Sequence, residues 1–404
     1  MIPAMDSLMA ALPRWFARPG NRVCELLAIC WLLGGLPVWA GDSDYVPKAG
    51  EFAPQGAGNY LAGELISVDH VNRRGAIRFV GDNDDGRYHS APSHRFAMLP
   101  YGSIKYHGAP AELRDIPLGT VLHGYFTLPP AGDTAIKAPN PPNSKFSSKY
   151  THALSLEDDF SFYQRQGRAW KIIAVDIPKG ELKVSQTGPV GTDGLRDEQV
   201  FLFDASTRIW QGQRFAEPKE LAAGQEVQLN LTWAPDWKNG QFQIADLWID
   251  KESRGAATER QRQIHIRFQR HHWLAGWIDK VEHQTGGKGV VTVTLFGGAD
   301  PSLYQQAKQQ AQPGGGAALA AGEWTLRTWW QEHDHKWGAV LECKEIADPL
   351  PGSSGLQFRV QIAELLEGFR PGRIVRFRPN GFPNSKLPPE ERVQDIEDLL
   401  KDAQ

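Results

Sequence analysis

The sequence predicts a mainly β protein: three tandem five-stranded barrels, with short connecting helices and an insertion in the third. Three observations predict it. A strand–turn–strand motif returns at intervals of about 107 and 106 residues, and a glycine-centred turn motif returns behind it. The composition suits small barrels: Gly (41) and Pro (28) make up about 17% of 404 residues, and 14 Trp and 18 Phe supply bulky core groups.

Residues 1–40 read as a signal peptide. Arg14, Arg18 and Arg22 precede the apolar run VCELLAICWLLGGLPVWA, and Val38 and Ala40 place small residues before Gly41. A retained N-terminal anchor is the alternative, since the run approaches the length of a membrane span. No later stretch is long and apolar enough to be one. Without residues 1–40 the chain carries 41 basic and 45 acidic side chains, a charge of −4, and only Cys343 of its three cysteines. That excludes an internal disulfide framework and counts against a general nucleic-acid binder. The expected location is the periplasm or the extracellular space, including the cell envelope.

The first motif is YLAGELISVD (60–69), repeated as AWKIIAVD (169–176) and WLAGWIDKVE (273–282). Leu65, Ile172 and Ile278 correspond, and each copy runs through a turn into AIRFV, ELKV or VVTVTLF, a β-hairpin pattern. The copies end in Asp69, Asp176 and Glu282, acids placed to accept hydrogen bonds from turn amides. The second motif is DIPLGTVL (115–122), ELAAGQEV (220–227) and GFRPGRIV (368–375): a large apolar anchor, two spacers, a glycine, then a strand. Gly119, Gly224 and Gly372 are the expected turn residues with φ > 0. Upstream, SIKYHG (103–108) aligns with TRIWQG (207–212), which sets Tyr106 against Trp210. Helices are expected over SLEDDFSFYQRQG (155–167), over the arginine-rich run 254–272 as a solvated linker, and over PPEERVQDIEDLL (388–400). The units run 41–145, 146–254 and 255–404.

The third unit is longer. Gly276 and Gly372 are 96 residues apart, against 56 for Gly63 and Gly119, and the excess falls at about 297–345. This insertion reads as a short helix, a Gly/Ala loop and an aromatic, His-rich strand, and long insertions on a rigid scaffold tend to carry function. With the order hairpin, strand, Tyr/Trp-x-Gly, acid-aliphatic-x-x-Gly, strand in view, the chain resembles exported bacterial proteins of unknown function built from repeated OB-like barrels. That resemblance implies a binding face on each barrel's middle strands, and no particular ligand.

No G-x-S-x-G, H-E-x-x-H or P-loop pattern occurs, and no catalytic residue is assigned. The insertion holds the candidates. Trp324, Trp329, Trp330 and Trp337 could stack on sugar rings or bases, although most Trp on a barrel fill its core. His333 and His335 would share one face of a strand, as two ligands of a divalent metal must. The histidines of the first unit, His89, His94, His107 and His123, are scattered. The reading is an exported, non-catalytic binding or scaffold protein, recognising a protein, glycan or cell-envelope ligand through its third barrel. The alternatives are a metal-binding protein or metal-dependent hydrolase using His333 and His335, and single-stranded nucleic-acid or glycan binding by OB analogy.

Overall fold

The structure is a computed structural model that describes residues 44–80, 92–136, 148–189, 198–233, 242–321 and 335–383. The expected signal segment, the helix at 388–400, His89, His333, Trp324, Trp329 and Trp330 lie outside the described residues. What is described is mainly β, with three closed barrels of 5, 5 and 6 strands.

Barrel 1 is built from β1 (Asn59–Asp69), β2 (Arg74–Phe79), β3 (His94–Tyr106), the short β4 (Ala109–Pro110), β5 (Val121–Thr127) and β6 (His152–Asp158). The ring closes as β1–β2–β3–β6–β5–β1, and β3 and β6 run parallel. Barrel 2 repeats this with β7 (Ala169–Asp176), β8 (Glu181–Thr187), β9 (Glu198–Leu202), β10 (Arg208–Gln211), β11 (Arg214–Phe215), β12 (Glu226–Trp233) and β13 (Phe242–Trp248). Its third strand is broken into β9 and β10, both parallel to β13. Alternation makes the cores: Trp170, Ile172, Leu182 and Val184 are buried while the residues between them are more open.

The repeat extends to single hydrogen bonds. In barrel 1 the Gly119 amide donates to Leu65 (2.7 Å) and the Leu65 amide donates to Thr120 (2.8 Å). Gly224, Ile172 and Gln225 make the same pair of bonds at 2.8 and 2.9 Å, as do Gly372, Ile278 and Arg373 at 2.8 and 2.9 Å. The three glycines have φ of +93°, +90° and +78°, and the anchors Ile116, Leu221 and Phe369 are all buried. Each first strand also bulges one residue beyond Leu65, Ile172 or Ile278, which curls it into the ring. At Gly224 a Cβ would meet nothing within 4 Å, so only backbone strain opposes a side chain there. Gly224→Ala is expected to cost about 1–2 kcal/mol, read as a lower urea midpoint with an unchanged m value.

Four sequence expectations shift. Strand pairing puts β6 in barrel 1, so that barrel runs past residue 145 to Asp158. Accordingly α1 (Asp159–Arg165) starts later than expected, capped by Asp158. The hairpin alignment is one residue off: Glu112 and Glu217 each open a 3-10 turn as capping boxes with Asp115 and Glu220, which sets Trp210 against Lys105. Asp69 and Asp176 accept the amides of Asn72 (3.2 Å) and Lys179 (3.1 Å), whereas Glu282 instead pairs with Lys280 on its own strand and with Arg359 of another strand, β18 (Ser353–Ile362).

Barrel 3 departs most. It comprises β14 (Leu274–His283), β15 (Gly289–Phe296), α3 (Pro301–Gln310), β16 (Gly316–Ala321), β17 (His335–Glu345), β18 (Ser353–Ile362) and β19 (Ile374–Pro379). The ring is β14–β15–β18–β17–β16–β19, with every pair antiparallel. The inserted hairpin β16–β17 thus stands where barrels 1 and 2 have their last strand, and the barrel has six strands rather than five. The expected Gly/Ala loop is the strand β16, selected by packing against intrinsic preference.

Between barrels 2 and 3 runs α2 (Lys251–His272), capped by Asp250. It is a packed strut rather than a solvated linker. Ser253, Gln261, His265 and Phe268 form its buried stripe. Thr258 donates to His107 O (2.7 Å) in barrel 1, Arg254 pairs with Glu226 (3.1 Å) in barrel 2, and Arg262 pairs with Asp300 (2.7 Å) at the start of α3.

Candidate recognition site on the third barrel

On the outer surface of barrel 3, three neighbouring strands bring one residue each into a row. Ala318 on β16 lies opposite Arg378 on β19 and opposite Trp337 on β17. Because Ala318 and its neighbour Ala320 are small, larger groups close over them. Trp273, at the end of α2, packs on both alanines. The Arg378 guanidinium lies over both indoles, 5.4 Å from the Trp273 ring centre and 4.8 Å from that of Trp337. Arg378 is buried, and burial lowers its pKa from the ordinary value. A guanidinium held between two aromatic faces fixes the plane of both rings.

Trp337 is the outer layer of this stack and is 43% exposed. It borders an open groove of about 560 Å³ whose walls include Gly314, Gly315, Gly316 and Gly338. Those glycines leave bare backbone beside the indole, so a flat ring could lie along it. Lys288 and Gln361 bring polar groups to the groove, and Lys336 beside Trp337 is tied to Glu364 at 2.6 Å. The site therefore offers a rigid aromatic face, a floor of bare backbone and a few hydrogen-bonding groups.

Of the four insertion tryptophans, Trp337 is the one within the described residues. Most other described indoles behave as core: Trp170, Trp233, Trp248, Trp273 and Trp277 are buried, and the half-buried Trp210 donates to Asp246 (2.9 Å). His335 opposes Ala320 in the β16–β17 ladder and turns its ring edge-on to Trp273 at 5.4 Å. Among the described residues no three His, Cys, Asp or Glu side chains come together as a metal site.

The first-barrel histidines do separate jobs that the sequence did not announce. His94 bonds Tyr150 O (2.9 Å). His107 occupies the left-handed turn (φ +52°) between β3 and β4. His123 joins Tyr60 Oη (2.7 Å) to Asp159 (2.9 Å) and stacks on Phe162, with centroids 3.9 Å apart. Geometrically that is a Tyr–His–Asp relay. Asp159 accepts the Leu231 amide (2.9 Å) from barrel 2 as well, so the relay ties the barrel seam together. Only the spacing of α1 against β12 could have revealed it, and no local motif encodes that.

No protein-family model matches this chain, and no curated protein matches it significantly. Among solved structures, the silver(I) form of CusF aligns with 20% of this chain and 95% of its own, at 11% identity and a TM-score of 0.16. A copper(II) form of a CusF tryptophan-to-alanine variant from Escherichia coli aligns with 21% and 90%, at 10% identity and a TM-score of 0.16. Neither similarity bears on what this chain binds.

Proposed function

We propose that this is a non-catalytic binding or scaffold protein of the cell envelope, and that the third barrel presents Trp337 to a glycan. The observation that carries this reading is the stack Trp273–Arg378–Trp337, which holds an exposed indole flat beside glycine backbone. An indole fixed in this way suits the C–H face of a sugar, and Lys288 and Gln361 suit its hydroxyls. A polyanion fits less well, because residues 41–404 carry a charge of −4. Export and the division into three barrel units belong to this proposal.

Intrinsic fluorescence titration with N-acetylglucosamine oligomers tests it. Saturable quenching is expected, and Trp337→Ala should weaken it roughly 10- to 100-fold, the stacking contribution of one ring. Equal affinity in wild type and variant would overturn the assignment of the site, and no response to any oligomer would overturn the glycan.

A further inference from the structure

A second pocket, partly open to solvent, lies where barrel 1, barrel 3 and α2 meet. It has a volume of about 170 Å³ and is walled by Arg73 and Glu112 from barrel 1, His265 and Gln269 from α2, and Tyr304 and Arg376 from barrel 3. Most of these groups are anchored. Arg73 donates to the carbonyls of Leu99 (3.3 Å), Pro100 (3.0 Å) and Gly102 (2.8 Å). Arg376 donates to those of His272 and Trp273, each at 3.3 Å. Gln269 donates to Glu112 Oε1 (2.8 Å), and the Tyr304 hydroxyl donates to Phe296 O (2.7 Å).

Three polar atoms in this wall lack partners. His265 is 1% exposed, and neither ring nitrogen has a hydrogen bond. Arg73 Nε is buried and also unbonded, 3.8 Å from Glu112 Oε2, a gap wide enough to be bridged by another oxygen. Leaving such groups bare is costly: Arg73 Nε–H and the single N–H of the His265 ring call for an acceptor, and the other ring nitrogen for a donor such as the hydroxyl of a hydrogen phosphate. The space is larger than one water needs. The guanidinium groups of Arg73 and Arg376 face Glu112, whose carboxylate is pushed by burial toward its neutral form, while Asp115 and Asp300 add negative charge nearby.

We propose that this cavity is a binding site for a small oxyanion, a carboxylate or phosphate, held by Arg73 Nε–H and the His265 imidazole. Its oxygens supply the acceptors that Arg73 Nε–H and the His265 N–H lack. The ligand would bridge barrel 1 to α2 and barrel 3, so binding stabilises the seam and shows as a rise in Tm.

The full chain, dialysed into chloride buffer, is titrated calorimetrically with acetate, inorganic phosphate and selenate at constant ionic strength, and its Tm is followed in each. Saturable heat and a Tm rise beyond the chloride control are expected for at least one anion. The responding arm distinguishes carboxylate from phosphate. His265→Leu, which removes the imidazole but keeps bulk, should weaken binding at least 10-fold. Should that variant not fold, crystals grown with selenate give an independent reading, with an anomalous peak expected between Arg73 and His265. Responses equal to chloride for all three anions, affinity unchanged in His265→Leu, or selenate sitting elsewhere would each overturn the site and leave the cavity to water.

Discussion

Asp158→Ala should cost about 3–5 kcal/mol of stability, the scale of breaking a buried, fully partnered charge. Asp158 has no exposed surface and collects three donors: the amides of Ser161 (3.0 Å) and His107 (3.0 Å) and the Asn230 side chain (2.8 Å). These come from α1, the β3–β4 turn of barrel 1 and β12 of barrel 2. Burial raises its carboxyl pKa, and the donors pull it back toward the charged form. Asn230 Oδ1 in turn accepts the Phe160 amide (2.9 Å), so removal of one carboxylate loosens α1 at both ends of the network. Urea unfolding measures the loss, and Asp69→Ala, at an exposed turn, should lose no more than about 1 kcal/mol by comparison. A loss below about 1 kcal/mol for Asp158→Ala would show that the seam is held by packing alone.

Acid should destabilise the protein through its buried histidines. Desolvation lowers the pKa of His265 and of His107 to about 4. An unfolded histidine titrates near about 6.5, so above that pH neither state is protonated and this contribution is fully present. As pH falls from about 6.5 toward 4 the unfolded chain takes up protons that the native state refuses, and stability is lost. By pH 4.5 the loss is about 2–3 kcal/mol for each of the two. His94 and His152 are shifted down by burial and add to the same trend. Glu112, Asp158 and Asp159 are shifted up by burial and act with the opposite sign. Comparing urea stability at pH 7 and 4.5 in wild type and His265→Leu isolates one histidine: the variant should lose about 2–3 kcal/mol less. An identical pH dependence would contradict the burial argument.

The barrels were legible because their determinants are local and repeated. A glycine forced to positive φ, an apolar anchor three residues before it and a bulged first strand recur at fixed spacing, and each leaves a residue-level trace. What was not legible depends on distant partners. Propensity alone reads GGGAALAA (314–321) as a loop, because alanine gains nothing from a strand by itself. Packing on both sides explains the strand found there: Trp273, Arg378 and Trp337 crowd over its outer face, and Ala317 and Leu319 enter the barrel core. His265 looked like one polar residue among many on a charged helix, and its burial follows from how α2 meets barrels 1 and 3. Trp337 was readable as a candidate, but its exposure was not, since alternate positions of β17 differ only in what their neighbours cover.

The substituted wall of barrel 3 has a thermodynamic corollary. In barrel 1 the closing pair Gly63 and Leu122 spans 59 residues, while in barrel 3 Gly276 and Val375 span 99. Loop-closure entropy grows only logarithmically, so this lengthening costs less than about 0.6 kcal/mol, the amount for a full doubling. Against that small penalty, the extra segment buries Ala317, Leu319 and Val340 inside the ring. An addition of about forty residues can therefore be nearly neutral to the fold, which leaves their outward side chains open to selection for binding.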